Sequence, residues 1–207
     1  SPLHPDVNNY IVSVFKKIIT DYPVDGMILD YARYQNYYYG YNQIGIDLFK
    51  AEYNINPMDI NRGIITKAFG FSETEIDSIN NLWNNYRANK ISDLIKQLRE
   101  NIISDSLDIE IAAAVKPSPE YAKNKWYQDW KKWLLEENID FVVVKNYEGN
   151  LYEFNYRNIV LNNTFEQNIL TKIILDINVD TENAILIANK ILSMRLNGFN
   201  NISLFPY

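Results

Sequence analysis

The stretch Val24-Asp25-Gly26-Met27-Ile28-Leu29-Asp30-Tyr31-Ala32-Arg33-Tyr34 constrains the fold of this chain more than any other segment. It starts as a short apolar run, of the kind made by a strand buried on both faces, and then stops on a carboxylate. A helical stripe precedes it: Val7, Tyr10, Ile11, Val14, Phe15, Ile18 and Ile19 recur at helical spacing, with Asp6 the expected N-cap after Pro5 and Pro23 ending the pattern. A strand framed by helices is the signature of a βα repeat. In such folds a charged residue at the C-terminal end of a strand lies at the mouth formed by the βα loops. Asp30 is therefore the first candidate for a working residue.

The alternation continues along the chain. Residues 35–72 form a long connection, rich in tyrosine and asparagine at its start, with a short helical piece near Ile46–Tyr53. Ser72-Glu73-Thr74-Glu75 predicts a helix start, and apolar residues from Ile76 to Ile102 carry that helix on. Leu107 to Val115 reads as a second strand, broken by Pro117 and Pro119, and Gln128 to Glu136 as a Trp-rich helix. Ile139 to Val144 is a third strand closing on Lys145-Asn146-Tyr147, and 148–168 contains one helix. Lys172 to Val179 is a fourth strand, Thr181 to Asn197 a helix closed by Gly198 at C′, and Ile202 to Phe205 opens a fifth strand. The order is α(βα)₄β, an α/β fold with a parallel sheet. A free-standing sheet of this kind would be doubly wound; the alternative is the later part of a (β/α)8 barrel. Pattern alone leaves both open.

Composition narrows the chemistry. The 207 residues can bury a sizeable core and are read as a single domain, 1–207. A net charge of −6 argues against a nucleic acid partner. No apolar run is long enough to span a bilayer. No signal peptide opens the chain, and Ser1-Pro2-Leu3-His4-Pro5 reads as the middle of a protein rather than a natural start. Without cysteine, and with His4 as its one histidine, the chain offers no thiolate or multi-histidine metal site and no Ser-His-Asp triad. No Gly-rich phosphate loop is present. Neither a metal nor a cofactor is expected.

The strand string Asp25-Gly26-Met27-Ile28-Leu29-Asp30-Tyr31-Ala32-Arg33-Tyr34, after His4-Pro5-Asp6-Val7, resembles the "DGIHLDYxRYP" segment of the glycoside-hydrolase-like family 10 proteins. Trp83 and Arg87 match that family's "WxxWR" helix, and Tyr127-Gln128-Asp129-Trp130 with Trp133 its "QDWxxWL" helix. Ile139-Asp140-Phe141 through Asn146-Tyr147 is similar to "vDfvxPMxY", and Gly198 through Phe205 to "GxxxF". These motifs occur in the family's order and span nearly the whole chain. The sequence departs from the family at Gln35, where a proline is usual, and at Val144-Lys145, which replaces Pro-Met; a lysine in the mouth would alter or abolish the expected site.

The resemblance implies a bacterial, mostly exported protein, and the C-terminal part of a TIM-type (β/α)8 barrel, roughly strands four to eight, with a long inserted loop at 35–72. It further implies that the missing N-terminal half of the barrel, or a partner chain, covers the open sheet edges. The implied activity is hydrolysis of a polysaccharide or glycan by two carboxyl groups. Asp30 is the first; its alternative role is structural, pairing with Arg33 or loop N–H groups. Asp176 and Glu110 are the candidates for the second, because both interrupt apolar strands, where a charge is expensive unless paired or used. Arg33, Tyr34, Tyr38, Asn146 and Tyr147 are candidate substrate contacts; for Arg33, Tyr34 and Tyr147 the rival role is packing of the rim. Tyr37, Tyr38, Tyr39 and Tyr41 would suit stacking on sugar rings. The chitinase acid at the end of such a strand is absent, since Ala32 stands there.

Trp126, Trp130 and Trp133 follow helical spacing and are expected in the core, Asp129 is expected to cap a helix, and Lys123, Lys125, Lys131 and Lys132 are expected to form a solvated face. The rivals to a hydrolase are a non-catalytic carbohydrate-binding barrel and an unrelated α/β protein binding a small ligand.

Overall fold

The computed structural model describes residues 1–105, 107–180 and 182–206. Helix α1 (Pro5–Asp21) leads into β1 (Gly26–Leu29); α2 (Gln43–Tyr53), α3 (Met58–Asn61) and a 3-10 turn occupy the long connection before α4 (Glu73–Ser104). Then come β2 (Glu110–Val115), α5 (Pro119–Trp126), α6 (Trp130–Leu135), β3 (Phe141–Lys145), α7 (Leu151–Thr164), α8 (Gln167–Leu170), β4 (Ile173–Asn178), α9 (Ala184–Leu196) and β5 (Ile202–Phe205). The strands are all parallel and stand in the order β1-β2-β3-β4-β5. A doubly wound sheet reverses direction at a switch point. Here the chain steps one way only, so crossovers of one hand place the helices on one face. The result is a curled half-barrel, the partial TIM-type barrel expected.

The pleat sorts the side chains. Leu29, Ile111, Ala113, Val115, Val142, Val144, Ile173, Leu175 and Ile177 join one core with Trp83, Trp130, Trp133, Phe154 and Leu161 of the helices. Burying each large apolar side chain contributes about 1.5–3 kcal/mol. The alternate residues, among them Ile28, Ala112, Ala114, Val143 and Ile174, take the concave face, the one that carries Asp30 and Lys145 at its C-terminal rim.

Several boundaries differ from expectation for local reasons. His4, not Asp6, caps α1: its Nδ1 accepts from the Asp6 N–H at 3.2 Å, with Pro5 as the first helical residue. The Trp-rich segment is two helices, because Tyr127 adopts φ 58° and ends α5, and Asp129 then caps α6. The segment 148–168 likewise divides into α7 and α8. Helix α9 starts after Asn183, whose side chain accepts from Leu186 N–H; Thr181, the start expected from sequence, lies outside the described residues. The start of α4 is the capping box read from Ser72 and Glu75, and Gly198 at φ 85° closes α9 as its C′ residue.

Candidate active site

The end of β1 is a tight corner. Tyr31, directly after Asp30, has φ 56°, a left-handed conformation unfavourable for a residue with a side chain and common at functional sites. The corner is held by the Tyr31 N–H donating to Asp30 Oδ1 at 2.8 Å and the Arg33 N–H donating to the Tyr31 carbonyl. The Asp30 side chain is half exposed. Lys145, from the end of β3, donates from Nζ to both its carboxylate oxygens, at 2.9 and 2.8 Å. To do so it reaches across β2, whose small residues Ala114 and Val115 line the same 150 Å³ cavity.

Beside this pair lies a larger cleft of about 660 Å³. Its walls include Tyr121, Trp126, Tyr147 and Tyr156, and Lys116 and Lys145 reach into it. Lys116 leaves β2 at a fixed place, because its N–H donates to Gln128 Oε1 at 2.9 Å and its carbonyl accepts from Trp130 Nε1 at 3.1 Å. The Gln128 amide also donates to the Ala114 carbonyl. The "QDW" segment thus pins the end of β2 from outside. Lys116 Nζ lies 5.2 Å from the Trp126 ring centre. Burial pushes its pKa below the ordinary lysine value, as do nearby Arg33, Lys145 and Lys125, with Asp30 opposing.

The candidates from sequence divide into two groups. Asp30, Arg33, Tyr147 and Lys145 share the small cavity. Asp176 adjoins it: it pairs with Lys145 in the β3–β4 register and accepts a short hydrogen bond from the Tyr147 hydroxyl, while its own side chain is almost fully buried. The others are elsewhere. Glu110 does not interrupt β2 but opens it, exposed and opposite Gly26, three residues below the Leu29 level and about 10 Å down the strand. That is the N-terminal face of the barrel, so it is not a second acid for Asp30. Asn146 points away from the mouth into α7, fully buried, with its amide donating to the Phe154 carbonyl and Asn158 Oδ1. Tyr34 is buried edge-on against Tyr127 at 5.6 Å, and burial raises its pKa to about 12. Tyr38 is exposed, its ring tilted against that of Tyr37 with centres 4.0 Å apart; it lines neither cavity beside Asp30.

Sequence reasoning gave no site role to Lys116, Trp126 or Arg87. Trp130 and Trp133 are buried as expected, but Trp126 is half buried on the cleft wall. Lys125 sits over Trp126 rather than in a solvated face, and Lys123 pairs with Asp129. Arg87 is 2% exposed and donates to the carbonyls of Tyr37 and Tyr39, to Asn84 Oδ1 and to the Tyr127 hydroxyl. It anchors the tyrosine loop by its main chain, with its guanidinium 3.9 Å from the Tyr127 ring centre.

Among the described residues, no group of three or more His, Asp or Glu side chains is placed to hold a metal, and no helix is long and apolar enough to cross a membrane. A strand-end carboxylate in the mouth of a parallel barrel, beside an aromatic-walled cleft, is the arrangement from which barrel enzymes build their sites. The chain matches the family described as Glycosyl hydrolase-like 10 over residues 1–180, and it belongs to that family. Comparison with curated proteins gives no match.

Proposed function

We propose that this mouth hydrolyses a glycosidic bond in a polysaccharide or glycan. Asp30 serves as the carboxylate that attacks the anomeric carbon or takes a proton from water. Asp176, hydrogen-bonded by Tyr147, is the second acid, delivering a proton to the leaving oxygen. Arg33 and Tyr147 contact the sugar. The observation that carries this reading is the placement of Asp30: half exposed at a strand end, on a strained corner, next to a cleft walled by aromatic rings. No redox group or metal has a part in the scheme.

One observation favours a second reading, a non-catalytic carbohydrate-binding barrel: Lys145 occupies both oxygens of Asp30 and must swing aside before either can attack. A panel of polysaccharides assayed for new reducing ends, with the unmutated protein and Asp30→Asn, separates the two. Turnover abolished by the substitution supports the hydrolase; glycan binding without turnover in the unmutated protein sinks it.

The proposal includes barrel closure and export. The edges β1 and β5 have no further strand beside them among the described residues, and Ile28 on the concave face is 57% exposed. Three further βα units, from the same polypeptide or a partner, would complete a (β/α)8 barrel. Fractionation of the native host tests the compartment.

A further inference from the structure

The cleft beside Asp30 carries more positive charge than its own carboxylates balance, in a chain whose net charge is −6. Lys116 lines both this cleft and the adjoining small cavity where Arg33 stands, Lys125 lies over Trp126 of the cleft wall, and none of the three forms an ion pair with a carboxylate among the described residues. The Arg33 guanidinium donates to the Tyr34 carbonyl and lies 4.8 Å from the Tyr31 ring centre. Lys125 sits over Tyr121 and Trp126, each at 5.0 Å, and donates to the Tyr121 hydroxyl. The carboxylates nearby are engaged or peripheral. Asp30 is held by Lys145, Glu148 holds Arg157 at 2.8 Å, and Glu153 stands exposed in the first turn of α7.

Crowded like charges are unfavourable unless a ligand of opposite sign offsets them. The crowding also has a definite geometry. Lys116 is fixed at its main chain by Gln128 and Trp130, and its ammonium is laid against the Trp126 ring. An aromatic face beside a cation matches a sugar ring bearing an anionic substituent: the ring stacks and the substituent meets the ammonium. The cleft volume of about 660 Å³ lies within the range of ligand sites.

We propose that this cleft selects glycans carrying an anionic group, a carboxylate or a sulfate ester, with Lys116 and Arg33 as the residues that grip it and Trp126 as the stacking platform. The inference deepens the glycosidase reading and rests on it for the sugar, but not for catalysis. An extended polyanion such as a nucleic acid fits less well, because the chain outside the cleft is acidic overall and repels it.

Calorimetric titration with matched ligand pairs tests the proposal: hexagalacturonate against its full methyl ester for the carboxylate, and dextran sulfate against dextran for the ester. The charged member of at least one pair binds about tenfold more tightly than its neutral partner, and added salt erodes that preference. Lys116→Met, which keeps the aliphatic stem over Trp126, weakens charged-ligand binding about fivefold and leaves neutral binding unchanged, and Arg33→Gln also weakens charged-ligand binding about fivefold. Circular dichroism checks that each variant is folded, and the salt titration on unmutated protein decides the matter if one is not.

Equal binding within both pairs, no binding of either charged ligand, unchanged affinity in Lys116→Met, or tighter binding of a single-stranded oligonucleotide overturns the proposal. Cleavage is read separately. Anionic preference without turnover supports this inference and removes the hydrolase, whereas turnover of neutral glycans alone does the reverse.

Discussion

Lys145 Nζ contacts both carboxylate oxygens of Asp30, at 2.9 and 2.8 Å, across a sequence separation of 115 residues. The two residues come from strands that are not neighbours, so the bridge forms only once β2 lies between them. It is also partly open to water, the side chains being 25% and 50% exposed. Solvent screening keeps such pairs to about 1 kcal/mol or less. Asp30→Asn, Lys145→Met and the double variant should therefore all lie within about 1 kcal/mol of the unmutated protein in urea denaturation. A much larger loss would make the pair a folding element rather than part of a site.

Lys116 gives a prediction in pH. Its pKa is lowered by burial and by neighbouring cations, so in the folded protein the ammonium loses its proton below the ordinary lysine value of about 10.4. Binding of a charged glycan should hold through neutral pH and fall on the alkaline side earlier than an ordinary lysine would allow. Lys116→Arg, which keeps its charge throughout, should flatten that fall in an affinity–pH profile. An identical profile in both proteins would remove Lys116 from the anion site.

Gly40 lies in the grip of Arg87. It has φ +100°, and a Cβ there would stand 2.7 Å from Arg87 Cδ and 3.1 Å from Tyr34 Cε1. Gly40→Ala combines backbone strain with a clash, and should destabilise by about 2 kcal/mol in chemical denaturation.

Arg87 itself is a buried cation neutralised by carbonyls, a hydroxyl and ring faces rather than by an acid. Arg87→Met leaves the Tyr37 and Tyr39 carbonyls without that donor and should cost about 3 kcal/mol. Arg87→Lys should recover little, since one ammonium cannot reproduce the planar fork. Hydrogen exchange localised to residues 35–42 checks that the damage centres on the loop.

Tyr34 makes the fold sensitive to alkali. Burial raises its pKa from 10.0 to about 12, so the folded state holds the proton more tightly than the unfolded chain. The stability tied to that proton is complete below pH 10 and is lost as pH rises towards 12, amounting to about 2–3 kcal/mol. Tyr34→Phe has no proton to lose there, and its stability should fall less steeply across that interval in pH-dependent denaturation.

The sequence was informative where local chemistry decides structure. A buried run stopping on Asp30, the Ser72–Glu75 capping box and Gly198 after α9 each follow from neighbouring residues, and the position of Lys145 in the mouth was readable from its place after Val144. What could not be read depends on distant partners. Glu110 resembles an interruption of a strand until pairing with Gly26 sets where β2 begins. Trp126 shares helical spacing with Trp130 and Trp133, but the left-handed Tyr127 between them turns it onto a different surface. Nothing in the residues next to Lys116 marks it; its placement comes from Gln128 and Trp130, twelve and fourteen positions on. Tyr34 and Asn146 were drawn to the mouth by motif position, while packing directs both side chains into the interior.

The anchoring of the tyrosine loop has a consequence for how this surface can change. Arg87 takes hold of carbonyl oxygens at 37 and 39, atoms that every amino acid supplies. Substitution at those positions therefore leaves the tether intact, provided Gly40 is kept. The loop is free to diversify its outward residues while its path is preserved, which makes it a natural place to graft new recognition sequences.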